Sequence, residues 1–249
     1  MEEIDLFSNE FLKENGFINC KINGRFASKR NQVYLLNFTD FNGCEKQMVY
    51  KLHIHRINLA KEVEMLFQFQ NSPVLAPGIF KVNGNGILME HISGPTILEY
   101  ISWQEKTHFQ YKEPYIEPAM QAIKQLADWL KIFYYNTENN MGKKIILGNI
   151  NLRNFIIRDN LYGVDFEDCR EGYPEEDVGR ICAFTLTYSP PYTAWKKCLA
   201  KEMMELLTAK LNLDRDRVVD CLFKELASIN KRRGFRLRAG WIEDIFKVL

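Results

Sequence analysis

A chain of 249 residues, 46% hydrophobic, is long enough to bury a sizeable core as one large domain or as two lobes. Its 33 basic and 32 acidic residues leave a net charge of +1, so no global field points to nucleic acid or an anionic membrane, and any charged partner must be met locally. The opening Met-Glu-Glu-Ile-Asp lacks a basic region followed by an apolar run, and no stretch reaches the ~18 apolar residues that span a bilayer, so a cytoplasmic location is expected.

Residues 17–56 read as strand-rich. Val33–Phe38 and Gln47–Ile54 flank Asp40-Phe41-Asn42-Gly43, which has the turn chemistry of a hairpin and places Lys51 inside a strand. Leu59, Val63, Leu66 and Phe67 then recur at helical spacing from Asn58, the expected N-cap, to about Gln70, with Pro73 beyond the end; Glu62 and Glu64 ride on this helix. A second hairpin is expected from Ile79–Val82 and Ile87–Ile92 around Asn83-Gly84-Asn85-Gly86, before Ser93-Gly94-Pro95 breaks the pattern. From Thr96 the chain turns mainly helical, over 97–103, 118–135, 192–211 and 215–230, with two short strands set within 147–168. Met120, Ile123, Leu126, Ala127, Leu130 and Phe133 mark the 118–135 helix as the core of this part. The expected organisation is a β-rich N-terminal lobe over 1–94 and a helical C-terminal lobe over 95–249, a junction where ligand sites are common.

The segment 147–168, Leu-Gly-Asn-Ile-Asn-Leu-Arg-Asn-Phe-Ile-Ile-Arg-Asp-Asn-Leu-Tyr-Gly-Val-Asp-Phe-Glu-Asp, carries the chemistry. A hairpin through Phe155–Ile157 and Leu161–Val164 brings Asn154 and Asp165 to one rim, where an amide and a carboxylate suit a hard cation that prefers oxygen ligands. Phosphoryl transfer also needs a cation on the phosphates, which Lys51 supplies, with Glu62 eleven residues on to hold it. Taken singly, Lys51 and Glu62 read rather as an exposed strand lysine and a solvated helix acid, and Asn154 and Asp165 as turn and cap residues.

The order of these parts resembles the protein-kinase-like superfamily, in its aminoglycoside phosphotransferase and choline kinase branch. There the catalytic loop reads roughly His-Gly-Asp-x-x-x-x-Asn and the metal motif is often Asp-Phe-Glu, matched here by Leu147-Gly148-Asn149 through Asn154 and by Asp165-Phe166-Glu167. The resemblance runs from about Phe17 to Arg180. It implies an α+β, two-lobed fold, with an antiparallel sheet and one helix in the N-terminal lobe and a mainly helical C-terminal lobe. It further implies ATP and Mg²⁺ as cofactors, Lys51 as the phosphate-binding lysine with Glu62 as its partner, and Glu90–Ile92 as the adenine-binding segment. Asn154 and Asp165 become the metal ligands, and Asp177 the aspartate that braces the catalytic loop.

The chain makes three departures from the family pattern, and two of them mark the catalytic loop as degenerate. Leu147 stands where the family has a histidine. Asn149 stands where the family has the aspartate that accepts the substrate's proton; an amide aligns a hydroxyl but is no base at neutral pH. The loop Gly24–Asn31 holds one glycine, leaving its backbone amides, Ser28 and the cations Arg25, Lys29 and Arg30 to approach phosphate. Glu167 or Asp168 would be a substitute base.

The first expectation is therefore an ATP-dependent phosphotransferase acting on a hydroxyl of a small molecule, with Asn149, Asn154 and Asp165 in the catalytic set. The alternative is a pseudokinase serving as a nucleotide-sensing or protein-interaction module. A nucleic-acid role rests only on the basic run 231–238. The acceptor pocket would draw on Trp103, Phe109, Tyr111, Tyr115, Tyr188, Tyr192 and Trp195, and nothing there shows the acidic cluster that a polycationic aminoglycoside favours. His53 and His55, read as sharing one face of a strand, are taken as structural or solvated.

Overall fold

The computed structural model describes residues 6–108 and 114–233. In chain order these form α1 (Asn9–Glu14), β1 (Phe17–Phe26), β2 (Gln32–Asp40), β3 (Glu45–Leu52), α2 (Arg56–Phe69), β4 (Ile79–Asn83) and β5 (Gly86–Glu90). There follow α3 (Ile97–His108), α4 (Glu117–Met141), β6 (Ile145–Ile146), a 3₁₀ turn (Leu152–Asn154), β7 (Phe155–Ile157), β8 (Leu161–Gly163), β9 (Arg170–Glu171), α5 (Pro174–Thr187), α6 (Ala194–Leu211) and α7 (Arg215–Arg233). The chain divides into two compact units: one runs up to Gln70 and takes in Pro77–Ile92, and the other joins Asn71–Ala76 to the chain from Ser93 onward. This is the mixed α+β architecture expected, with an antiparallel N-terminal sheet and a mainly helical C-terminal part.

In the first unit the strands form one antiparallel five-stranded sheet in the order β1-β2-β3-β5-β4. Period-two alternation in β2 buries Tyr34, Leu36 and Phe38. These pack with Phe17, Met48, Tyr50 and Leu88 and with Phe7 and Leu12 around α1, the ring of Phe7 lying 4.9 Å from that of Tyr50. The hairpin turn after β2 is held by Asp40, whose Oδ1 accepts the Asn42 and Cys44 N–H groups at 2.8 Å. The helix α2 corrects the sequence reading. It begins at Arg56 after His55, so Asn58 lies inside it, and its buried stripe is Leu59, Glu62, Met65, Leu66 and Phe69, while Phe67 is exposed. The stripe is rotated because Glu62 occupies an inward position that an apolar count leaves out.

The second unit is built on α4, whose Met120, Ile123, Leu126, Ala127, Leu130 and Phe133 are all buried, as the periodicity predicts. The 71–76 segment is tied to it through Leu75, whose carbonyl accepts from Trp129 Nε1 at 2.9 Å and from the Gly163 N–H at 3.0 Å. Thr96 and Glu99 cap α3 reciprocally: Glu99 Oε2 accepts the Thr96 N–H at 2.8 Å, and Thr96 Oγ1 accepts the Glu99 N–H at 3.2 Å. The helix α5 was not among the expected elements, although Pro174 followed by Glu175, Glu176 and Asp177 is a helix-start signal. No helix of the described residues is long and apolar enough to cross a membrane.

One buried ion pair fastens α3 to α6. Lys196 Nζ lies 2.5 Å from Glu105 Oε2 and donates to the Pro190 carbonyl at 2.7 Å, and Thr193 Oγ1 donates to Glu105 Oε1 at 2.5 Å. Lys196 and Glu105 are 3% and 8% exposed, so removing the cation strands a charge. Lys196→Met is expected to cost about 3–5 kcal/mol in urea unfolding, with most of it recovered in Lys196→Met/Glu105→Met. A loss below about 1 kcal/mol in the single variant would contradict this role for the pair.

Candidate active site

Within the first unit, Lys51 lies on β3, paired across to Val33 of β2 and Ile87 of β5, so the sheet flanks it on both sides. Its Nζ is 2.7 Å from Glu62 Oε2, and both residues are buried, at 6% and 1% exposure. His53 Nε2 approaches the same oxygen at 2.6 Å. Burial pushes the Glu62 carboxyl up, but the Lys51 charge and the hydrogen bonds from His53 and Lys51 outweigh it and hold the group below its ordinary value. A carboxylate kept ionised is an acceptor only, so His53 donates through Nε2. This corrects the reading of His53 as a strand residue paired with His55. The strand ends at Leu52, the His53 N–H turns to the Asn85 carbonyl at 2.9 Å, and the ring is buried beside Glu62.

The other first-unit candidates lie at the sheet's ends. The link between β1 and β2 is only 27–31, with Gly24 and Arg25 already inside β1. Ser28 Oγ accepts the Asn31 N–H at 3.1 Å, shaping the turn, while Ser28, Lys29 and Arg30 are exposed. Arg25 stacks on Tyr34, 5.6 Å from its ring centre. Glu90 ends β5, its Oε2 accepting the Gly78 N–H at 3.3 Å, and Ile92 is buried.

Within the second unit the predicted hairpin is present. Phe155 pairs with Gly163 and Ile157 with Leu161, and the Val164 N–H donates to the Asn154 carbonyl at 2.9 Å, so Asn154 stands beside the residue preceding Asp165. Asp165 has φ 69°, the left-handed region that short polar side chains tolerate and that recurs at functional sites. It is followed by the fully buried Phe166, whose ring stacks near Trp129. Asn149 is half-buried; its carbonyl accepts from Asn151 Nδ2 and Asn154 Nδ2 at 3.4 Å each. Glu167 is buried at 4% exposure and Asp168 is half-buried.

The loop that carries Asn149 is held from behind. Asp177, 1% exposed on the first turn of α5, accepts the Leu147 N–H at 2.7 Å, the Gly148 N–H at 3.0 Å and the Tyr134 hydroxyl at 3.0 Å. Arg180, one turn along, donates to the Gly148 carbonyl and pairs with Glu225 at 3.1 Å. Gly148 has φ 70°, and a Cβ there would fall 2.4 Å from the Asp168 carbonyl oxygen, so only glycine fits between the loop and the segment after Asp165. Because the brace reaches backbone groups, it does not need the side chain that Leu147 lacks. Sequence reasoning missed Tyr134, Arg180 and His53. For Arg180 the signal was its spacing of three from Asp177.

No family model matches the chain, and no curated protein matches it. Among solved structures, it is similar to an amicoumacin kinase, hAmiN, in complex with AMP-PNP, Ca²⁺ and Ami, at 14% identity, over 90% of this chain and 86% of that one, with a TM-score of 0.52. The fold is protein-kinase-like.

Asp177 has a measurable signature. Burial raises its carboxyl to about 6 despite the donors that favour the anion. The folded protein thus holds this proton more tightly than the unfolded chain. The stability it contributes is whole below the ordinary carboxyl range and is lost as pH rises through about 6. In urea unfolding from pH 4 to 7, wild type should lose on the order of 3 kcal/mol relative to Asp177→Asn, the contribution of Glu62 cancelling between the two. Parallel pH profiles would contradict this.

Proposed function

We propose that this protein is a kinase-like phosphotransferase that binds ATP with a divalent cation and transfers the γ-phosphoryl group to a hydroxyl of a small molecule. The observation that carries the reading is the buried Lys51–Glu62 pair, joined by His53, in a protein-kinase-like fold. A buried ion pair is seldom better for stability than apolar side chains of similar volume. Its value here is a cation held at one position for phosphate oxygens.

The donor set fits the expected cofactors. Asn154 and Asp165 offer an amide oxygen and a carboxylate from neighbouring positions on one hairpin, the hard ligands that Mg²⁺ takes. When bound, ATP with Mg²⁺ supplies the phosphoryl group and the neutralisation of its charge. Lys51 binds phosphate oxygens and Glu62 with His53 keeps it directed. Ser28 and the backbone of the 27–31 turn approach the phosphates, and Glu90–Ile92 receive the adenine. Asn149, on its braced loop, accepts a hydrogen bond from the acceptor hydroxyl and aligns it. It takes no proton, and general-base help is typically worth ~10²–10⁴-fold, so turnover is slow. The likeness to a kinase complexed with AMP-PNP and Ca²⁺ supports a nucleotide and a divalent ion for this chain as well.

Thermal unfolding with and without millimolar ATP and Mg²⁺ tests the reading. At about 100 times its dissociation constant the nucleotide should add ~2.7 kcal/mol, an effect that Lys51→Ala and Asp165→Ala, each compared with its own unliganded form, abolish. An unshifted wild type would overturn nucleotide binding and favour a pseudokinase scaffold. Asn149→Asp is expected to raise the rate of ATP consumption by at least ~10²-fold. A variant no faster than wild type would remove Asn149 from the proposed role.

A further inference from the structure

Two guanidinium groups converge on the end of α5, beside the loop that carries Asn149. Arg153 lies in the 3₁₀ turn four residues after Asn149, exposed, with its guanidinium 5.9 Å from the centre of the Tyr188 ring. Arg233, the last residue of α7 and also exposed, donates through Nη1 to the carbonyl of Thr187 at 2.7 Å. The two therefore reach adjacent residues from different elements. Tyr192 completes the surface, its hydroxyl donating to Asn230 Oδ1 at 3.3 Å. Burial pushes the Tyr188 phenol up to about 12, against the Leu152 backbone and then Arg153 and Arg233, which act to lower it.

Among the described residues this charge is uncompensated. Among the described residues, neither Arg153 nor Arg233 meets a carboxylate. The segment from Tyr188 to Tyr192 is Tyr-Ser-Pro-Pro-Tyr, without an acid. The nearby Glu105 is neutralised by Lys196, and Glu225 by Arg180 and Arg232. One cation at a helix C-terminus satisfies its last carbonyls. The second, carried on the Asn149 loop and stacked on an aromatic face, has no such duty.

We propose that Arg153 and Arg233, with Tyr188 and Tyr192, form the acceptor subsite and select a hydroxyl compound bearing a carboxylate or phosphate. The inference rests on the phosphotransferase reading for the role of the hydroxyl, while the anion subsite itself stands on this geometry. A guanidinium matches either anion with paired N–H groups, and the same two charges repel an ammonium-bearing acceptor. The Tyr188 ring, stacked with Phe184 at 6.4 Å between centres, backs the Arg153 guanidinium. Of the aromatic residues expected to line an acceptor pocket, Tyr188 and Tyr192 belong here. Trp195 is buried with its Nε1 on the Tyr115 carbonyl, Trp103 and Tyr115 are largely exposed, and Phe109 and Tyr111 lie outside the described residues. Of the basic run 231–238, residues 231–233 belong to α7, and 234–238 lie outside the described residues.

The test is binding, by calorimetry, of matched compounds on shared skeletons: glycerol, glycerate and glycerol phosphate, and glucose, glucosamine, gluconate and glucose 6-phosphate. Within a skeleton, an anionic member should bind at least ~10-fold more tightly than its neutral and cationic counterparts. Arg153→Gln/Arg233→Gln should remove that preference and Arg153→Lys/Arg233→Lys should retain part of it, with unliganded melting temperatures verifying that each variant folds. No anionic preference on either skeleton, or a preference that survives the double glutamine variant, would overturn the proposal. ATP binding titrated on the same samples reads the phosphotransferase proposal separately: an anion preference without ATP binding would leave the subsite standing and sink the kinase reading.

Discussion

A single buried carboxylate sets the geometry of the 147–154 loop. Asp177 meets two consecutive backbone N–H groups and a tyrosine hydroxyl, while Arg180 takes the Gly148 carbonyl that follows them. Both N–H groups and the Gly148 carbonyl are therefore satisfied from one helix, α5, whose first turn is fixed by Pro174 and by Glu176, which accepts the Tyr173 N–H. With that end anchored, the chain runs through Asn149 into the 3₁₀ turn, where the Asn151 side chain accepts the Arg153 N–H, and on into the β7–β8 hairpin. The order of side chains along the loop is thereby converted into fixed positions. A buried charge is costly, and its position in the middle of a donor set is the arrangement that offsets the cost.

The first unit applies the same logic to a pair of opposite charges. Glu62 is placed on the inward stripe of α2, Lys51 on a central strand, and His53 on the turn that ends it. One carboxylate oxygen receives donors from both. Neither cation nor acid would survive there singly. The continuity of the second unit with the residues that follow β5 depends on a backbone constraint. Gly94 has φ 146°, and a Cβ there would lie 2.0 Å from the Ile157 carbonyl oxygen. Pro95 and Thr96 then dock along β7, through the Ile157 N–H to the Pro95 carbonyl at 2.9 Å and a bridge from Thr96 to Ile156.

Much of this was legible in the sequence because it is local. Period two in β2, the Asn-Gly turn between β4 and β5 and the apolar stripe of α4 each follow from short-range spacing, and so does the hairpin that sets Asn154 near Asp165. What escaped depends on partners distant in the chain. The rotation of α2 follows from Glu62 meeting Lys51 and His53, so an apolar count chose Phe67 where Phe69 is buried. The His53 role required knowing where β3 ends. The hold of Tyr134 and Arg180 on the loop joins residues about 30–45 apart, which no periodicity reports. The end of α5 likewise gains its second arginine from the far end of α7.

The proposed phosphotransferase depends on Asn154 and Asp165 acting together on a metal that arrives with nucleotide. Electron paramagnetic resonance of Mn²⁺, a spectroscopic stand-in for Mg²⁺, tests it without requiring turnover or an acceptor. Free Mn²⁺ signal should fall on adding protein and ATP together beyond the fall with ATP alone, and this extra loss should vanish in Asp165→Asn. Mn²⁺ signal that the protein leaves unchanged in the presence of ATP, or an equal loss in Asp165→Asn, would contradict the account.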